Sequence, residues 1–144
     1  MEKNECKLKM DDLYFSKCEF AQTRASSTDS NENYNASFCI EYAVSRSDSE
    51  RFKVTIKTSV TNKSGNIHVD VEAVGIFTVD NSNLDKEVEE AIIHTNTVAI
   101  MFPYIRSQIS LLTTQPGIKP IVLPPMNINA IVDSTQKASK DNRT

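Results

Sequence analysis

His68-Val69-Asp70 sets two metal-ligating residue types on one face of an extended segment. A mononuclear metal site needs three or four ligands. The only other histidine, His94, falls on a stretch of helical periodicity. The pair therefore reads as two solvated polar side chains, and no metal or other cofactor is expected. Cys6, Cys18 and Cys39 form no CxxC pair. An odd count at loose spacing is not a disulfide framework, and Cys39 lies inside an alternating strand pattern, where packing is the expected role. A cysteine nucleophile needs a base held beside it, and nothing in the sequence places one. Glycine occurs only at 65, 75 and 117, so there is no glycine-rich phosphate loop. Glu87-Val88-Glu89-Glu90 is a charge run in an early helical turn, where the helix dipole favours it. No catalytic residue emerges, and an enzyme is not expected. One segment does stand out. In Met101-Phe102-Pro103-Tyr104-Ile105-Arg106 a proline interrupts an apolar helical run between two aromatics.

The elements that position these residues can be read from hydrophobic period. Leu8 and Met10 alternate, then Leu13 and Phe15, then Cys18 and Phe20. The parity changes at Asp11-Asp12 and again near Lys17, which predicts bulges or two short strands. Residues 21–33 are polar and without period, a loop. Tyr34, Ala36, Phe38, Ile40, Tyr42 and Val44 then alternate with Asn35, Ser37, Cys39, Glu41 and Ala43, giving a strand with one buried face. A turn at Ser47-Asp48-Ser49-Glu50 leads to Phe52, Val54, Ile56, Thr58 and Val60. A tight turn at Asn62-Lys63-Ser64-Gly65-Asn66 leads to Ile67, Val69, Val71 and Ala73. Gly75 suits a bulge or a close approach.

After Asp80-Asn81-Ser82-Asn83 the period becomes helical. One stripe runs through Leu84, Val88, Val98, Phe102, Ile105, Ile109 and Leu112, a second through Ile93, Ile100, Tyr104, Ser107 and Leu111. One covers the sheet. The other needs a further partner, which is read as another subunit. Thr95-Asn96-Thr97 and Pro103 are expected to break or kink the helix, and Pro116-Gly117 to end it. Residues 118–126 are apolar and rich in proline, and 127–138 suit a short final helix. The fold class is α+β: a four-stranded antiparallel sheet, a long kinked helix and a short C-terminal helix. Residues 1–138 make one domain and 139–144 a polar tail.

The chain has 144 residues, a net charge of −3 and 39 % apolar residues. It carries no clustered lysines and arginines, so a nucleic-acid partner is not expected. No apolar run precedes the first strand, and none approaches the ~20 residues of a spanning helix. A cytoplasmic protein without membrane insertion is expected.

Three phrases, in order, resemble the SecB protein-export chaperones. The family phrase Phe-Pro-Tyr-x-Arg-x-x-Ile is matched by Phe102-Pro103-Tyr104-Ile105-Arg106-Ser107-Gln108-Ile109. Its Leu-x-Pro-x-Asn phrase is matched by Leu123-Pro124-Pro125-Met126-Asn127-Ile128, and its Gly-Ile-Phe by Gly75-Ile76-Phe77. The resemblance spans roughly residues 7–132. It implies a chaperone that binds unfolded polypeptides, or preproteins, and keeps them competent for export through the motor SecA. It implies a homotetramer built as a dimer of dimers. The strand-four positions that govern assembly fall on Val69, Val71 and Ala73, and Ile100 and Tyr104 join them from the second helix stripe. Apolar grooves between sheet and helix would take extended clients, with Tyr42, Val44, Phe52, Val54, Leu123 and Pro124 as wall candidates. The family's acidic docking surface for SecA is matched at Asp12 and Asp70, while the next acid of the first strand falls on Ser16. That thinned cluster leaves a second role: some relatives guard the antitoxin of a toxin–antitoxin system.

Overall fold

A computed structural model describes residues 8–23, 33–44, 51–79 and 86–124. Four strands, β1 (Leu8–Gln22), β2 (Tyr34–Val44), β3 (Arg51–Asn62) and β4 (Ile67–Val79), precede one helix, α1 (Lys86–Leu112). The strands form one antiparallel sheet in the order β1-β4-β3-β2. β2, β3 and β4 follow one another as hairpins, and β1 pairs with β4 at the far edge. This is a Greek-key arrangement with the chain direction reversed.

β1 is one continuous strand with register shifts between Met10 and Asp12 and between Phe15 and Lys17. The two parity changes are therefore bulges. Each sends the following residues to the opposite face, so Leu8, Met10, Leu13, Phe15, Cys18 and Phe20 all stay on one side. At the first bulge Thr78 Oγ1 donates to the Asp11 carboxylate. β1 also runs further than its apolar residues suggest. Ala21 and Gln22 pair with His68 and Ile67, and the Thr23 amide donates to the Asn66 carbonyl at 2.8 Å.

The hairpin between β3 and β4 turns at Gly65, which has φ +74°, a conformation that costs glycine little. Asn62 is buried there and satisfied. Its Oδ1 accepts from the Ile67 amide at 3.0 Å, and its carbonyl accepts from the Gly65 amide at 3.0 Å.

α1 lies over β4, β1 and β3. Its buried positions are Thr97, Val98, Met101, Phe102, Ile105 and Ile109. The helix is unbroken at residues 95–97. Thr97 Oγ1 bonds the Ile93 carbonyl at 2.7 Å, so the hydroxyl is satisfied within the helix and does not disrupt it. Pro103 sits inside the helix on its exposed side. α1 ends at Leu112, ahead of Pro116-Gly117. Thr113 supplies the stop: its Oγ1 donates to the Ile109 carbonyl at 2.8 Å and accepts from the returning Ile121 amide at 2.8 Å. That bond seats Ile121 and Leu123 in the core. Residues 24–32 of the expected polar loop, the turns expected at 47–50 and 80–83, the expected final helix 127–138 and the tail 139–144 lie outside the described residues.

Gly75 is a site of close approach. Its register with Leu13 and Val54 is unbroken. A Cβ there would lie 2.6 Å from Phe77 Cε2 and 3.0 Å from Met101 Sδ. The Phe77 ring is fully buried and stacked on Phe52, with centroids 5.6 Å apart, so it has nowhere to move. Gly75→Ala is expected to cost about 1–3 kcal/mol through overpacking, read as a lower denaturation midpoint. An unchanged midpoint would show that the ring has room to shift.

Candidate client groove and docking face

The helix side of the sheet is apolar across all four strands, but α1 leaves part of it uncovered. The backbone of α1 comes close to β4, β1 and β3, whereas among the described residues it meets β2 through side chains. Tyr34, Ala36, Phe38 and Tyr42 of β2 therefore stay half-buried, while Ile40 between them is buried. Two ring contacts bridge the resulting cleft. Phe38 meets Phe102 of α1 at 6.1 Å and 57°, and Tyr42 stacks on His94 of α1 at 4.1 Å and 15°. Tyr42 Oη also donates to the His94 carbonyl at 3.2 Å. Burial raises the Tyr42 phenol above its ordinary range, against a hydrogen bond with Thr97 that lowers it. Burial lowers His94, against the opposing charge of Glu90.

The six wall candidates do not stand together. Tyr42 lines the cleft. Phe52 and Val54 are buried in the protomer core, as is Leu123. Pro124 is exposed beside it. Val44 ends β2 in register with Phe52. Phe38 and Tyr34 are the cleft residues that the sequence reading left out. The signal was present in the alternation of β2, but alternation does not tell which strand the helix leaves open.

The outer face of the sheet is polar around residues 68–72 of β4, and apolar further along at Tyr14, Val74 and Ile76. Register aligns Glu19 with Asp70 and Ser59 in one row, and Lys17 with Glu72 and Lys57 in the next. A shallow hollow runs across these rows, lined by Lys17, Ser37, Cys39, Lys57, Ser59, Asp70 and Glu72, and Cys39 is exposed there instead of packed. Asp70 accepts from His68 at 2.6 Å. Burial works to raise the Asp70 carboxyl. Hydrogen bonds from His68 and Ser59, with the charges of His68 and Lys17, outweigh it and hold the group below its ordinary range. Asp12 is on the same face but aligns with Ile76, six positions along β4 from Asp70. At ~3.3 Å per residue that is roughly 20 Å. The sequence paired Asp12 with Asp70, whereas the acids that adjoin Asp70 are Glu19 and Glu72. The second bulge brings Glu19 there, and its effect on which residues align is invisible until β1 is known to pair with β4.

Acids and bases are interleaved over this face. Lys9–Asp11 at 3.9 Å, Lys17–Glu19 at 3.5 Å and Lys57–Glu41 at 3.5 Å are exposed ion pairs, of little worth to stability singly. No group of three or more His, Cys, Asp or Glu among the described residues is arranged to hold a metal. No helix among them is long and apolar enough to cross a membrane.

The positions expected to govern assembly divide in two. Val69 and Ala73 have no exposed surface and Val71 only 2 %, because all three face α1 within the protomer. An effect of these three positions on assembly would therefore pass through the packing of α1 on the sheet. Tyr104 is 49 % exposed and Ile100 half-buried. With Leu111, 66 % exposed, they carry the second stripe of α1 on the surface.

Comparison with known families matches residues 1–139 to the one described as preprotein translocase subunit SecB. The chain belongs to the SecB family. An uncharacterised protein of Methanocaldococcus jannaschii is 28 % identical over 96 % of this chain and 90 % of its own length. The protein-export protein SecB of Saccharophagus degradans is 30 % identical over 61 % of this chain, spanning 54 % of that relative. The protein-export protein SecB 2 of Francisella tularensis subsp. novicida is 27 % identical over 77 % of this chain and 75 % of its own. Among solved structures, the SecB-like chaperone of Mycobacterium tuberculosis, determined with a ChAD peptide from the HigA1 antitoxin, matches with a TM-score of 0.67. It is 19 % identical and covers 83 % of this chain and 88 % of its own. The SecB-like fold of sheet followed by helix is thereby shown, and with the family comes the general role of a chaperone.

Proposed function

We propose that this SecB-family chain holds extended, unfolded segments of client polypeptides in the cleft between β2 and α1, and delivers them for SecA-dependent export. The observation that carries the reading is the half-buried aromatic row of β2 beside α1. An extended client presents apolar side chains at every second position. A shelf of Tyr34, Phe38 and Tyr42 receives them without demanding one sequence, since ring faces accept many apolar partners. Weak contacts repeated over several protomers of a tetramer would then add up by avidity. No covalent chemistry is needed, because binding the unfolded chain and not the native one delays folding by mass action.

SecA would dock on the outer face at Glu19, Asp70 and Glu72, with Asp12 as a distant outlier. Glu19→Lys with Asp70→Lys is expected to weaken SecA binding, measured by titration calorimetry. Tetramer mass and suppression of aggregation should be unaffected. Wild-type binding should fall as salt rises, because steering by exposed charges is screened. Asp12→Lys alone should have a smaller effect. Wild-type binding by the double variant, or no binding by either, would remove the export role. Failure of the wild type to suppress aggregation of an unfolded reporter would remove the chaperone reading itself.

A second reading keeps the cleft and changes the client to the antitoxin of a toxin–antitoxin pair. The interleaving of acids and bases on the outer face favours it, since that face lacks a strong field of one sign. The M. tuberculosis chaperone with its antitoxin peptide is a precedent for such a client on this fold. Here the Glu19→Lys, Asp70→Lys variant should retain full client binding.

A further inference from the structure

We propose that the Tyr42–His94 stack is a latch across the cleft between β2 and α1, and that protonation of His94 releases it. The inference rests on the reading of that cleft as the client site.

The geometry supports a latch. Among the described residues the backbones of α1 and β2 do not approach closely, and side chains join the two elements. Phe38 and Phe102 are tilted at 6.1 Å, a loose ring contact. Tyr42 and His94 are closer and nearly parallel, 4.1 Å and 15°, and the Tyr42 hydroxyl is tied to the His94 carbonyl. This contact closes the cleft beside Ile40, the buried apolar residue of β2. A client side chain reaches the floor there only when the two rings part.

Which protonation state the closed latch prefers follows from its surroundings. Stacking on a tyrosine face attracts a cation by about 0.5–1 kcal/mol at an exposed site. Burial opposes the charge. Among the described residues, the helix-facing rows of β3 and β4 carry no charged side chain, and that of β1 only the thiol of Cys18, far along the strand. On β2 the titratable groups of that row are Tyr34 and Tyr42. On α1 Glu90 supplies one favourable charge. Burial is the larger influence, and the closed latch favours neutral imidazole. An opened latch returns His94 to water and its ordinary affinity for a proton. Protons therefore bind the open form preferentially, and acidification shifts the population toward it.

The test measures the affinity of an unfolded apolar peptide without ionisable side chains, carrying a non-ionisable BODIPY label, between about pH 7.5 and about pH 5.5. The wild type should bind roughly threefold tighter or more at the acid end, as the open fraction rises. His94→Phe keeps a stacking ring and loses the proton, so it should bind weakly and without pH dependence. His94→Ala removes the latch and should bind tightly across the range. Circular dichroism confirms that both variants are folded. A pH response retained in His94→Phe, or a flat wild-type profile, would overturn the latch while leaving the cleft intact. Absence of binding by all three proteins would overturn the cleft reading, and the latch with it.

Discussion

Val71→Asp is expected to unfold the protomer instead of dividing an assembly. Val71 faces α1, is 2 % exposed, and aligns with Cys18 on one side and Thr58 on the other. The other strand residues of that row, Cys18, Thr58 and Phe38, carry no positive charge. Thr58 Oγ1, its neighbour, is already a buried hydroxyl without a hydrogen-bond partner, so the site has no spare polar capacity. An uncompensated carboxylate there costs several kcal/mol even after relaxation. Domains of this kind are stable by roughly 5–15 kcal/mol. The expected result is loss of most native circular dichroism at 25 °C, or a midpoint lowered by most of its value in urea. A folded Val71→Asp protein of reduced mass would restore Val71 to the subunit interface.

The converse effect is expected from the exposed stripe of α1. Tyr104→Glu with Leu111→Glu should leave the denaturation midpoint of the isolated protomer nearly unchanged, since both side chains already meet solvent. In an assembly built on this stripe, each would be a large apolar group turned into a buried charge. A central contact of this kind is worth about 2 kcal/mol or more, and two of them weaken association by roughly a thousandfold. Sedimentation should show the wild type as a tetramer at micromolar concentration and the double variant as a smaller species. Equal masses for the two proteins would exclude this face from the interface.

These two expectations differ because burial, and not hydrophobicity, separates core from interface. The sequence identifies Val71 and Tyr104 alike as apolar positions on periodic elements. Period two put Val71 on one face of β4, and period 3.6 put Tyr104 on a second stripe, but neither says which faces the helix covers. The assembly role of Val69, Val71 and Ala73 came with the family resemblance, which carries position and not exposure. Where local pattern alone decides, the reading came nearest, though it left bulges and two short strands both open for β1. The parity changes near Asp11 and Lys17 are the bulges of β1, and the alternation of β2, β3 and β4 is their observed facing. What depended on long-range pairing was hidden. The docking of β1 against β4 puts Glu19 beside Asp70, and the position of α1 leaves Phe38 half-buried against Phe102. Thr97 was misjudged for another reason: a hydroxyl that can break a helix can also bond back to its own carbonyls.

The two edges of the sheet meet a passing strand on unequal terms. A protein that handles unfolded chains is offered backbone partners continually, and a flat, regular edge invites runaway cross-β growth. β1, at one edge, carries two bulges within fifteen residues. A newcomer could zip along it only by carrying matching irregularities. β2, at the other edge among the described residues, is regular from Tyr34 to Val44. Templating is thereby blocked on one side and permitted on the other, and the permissive side is the one that bears the aromatic shelf.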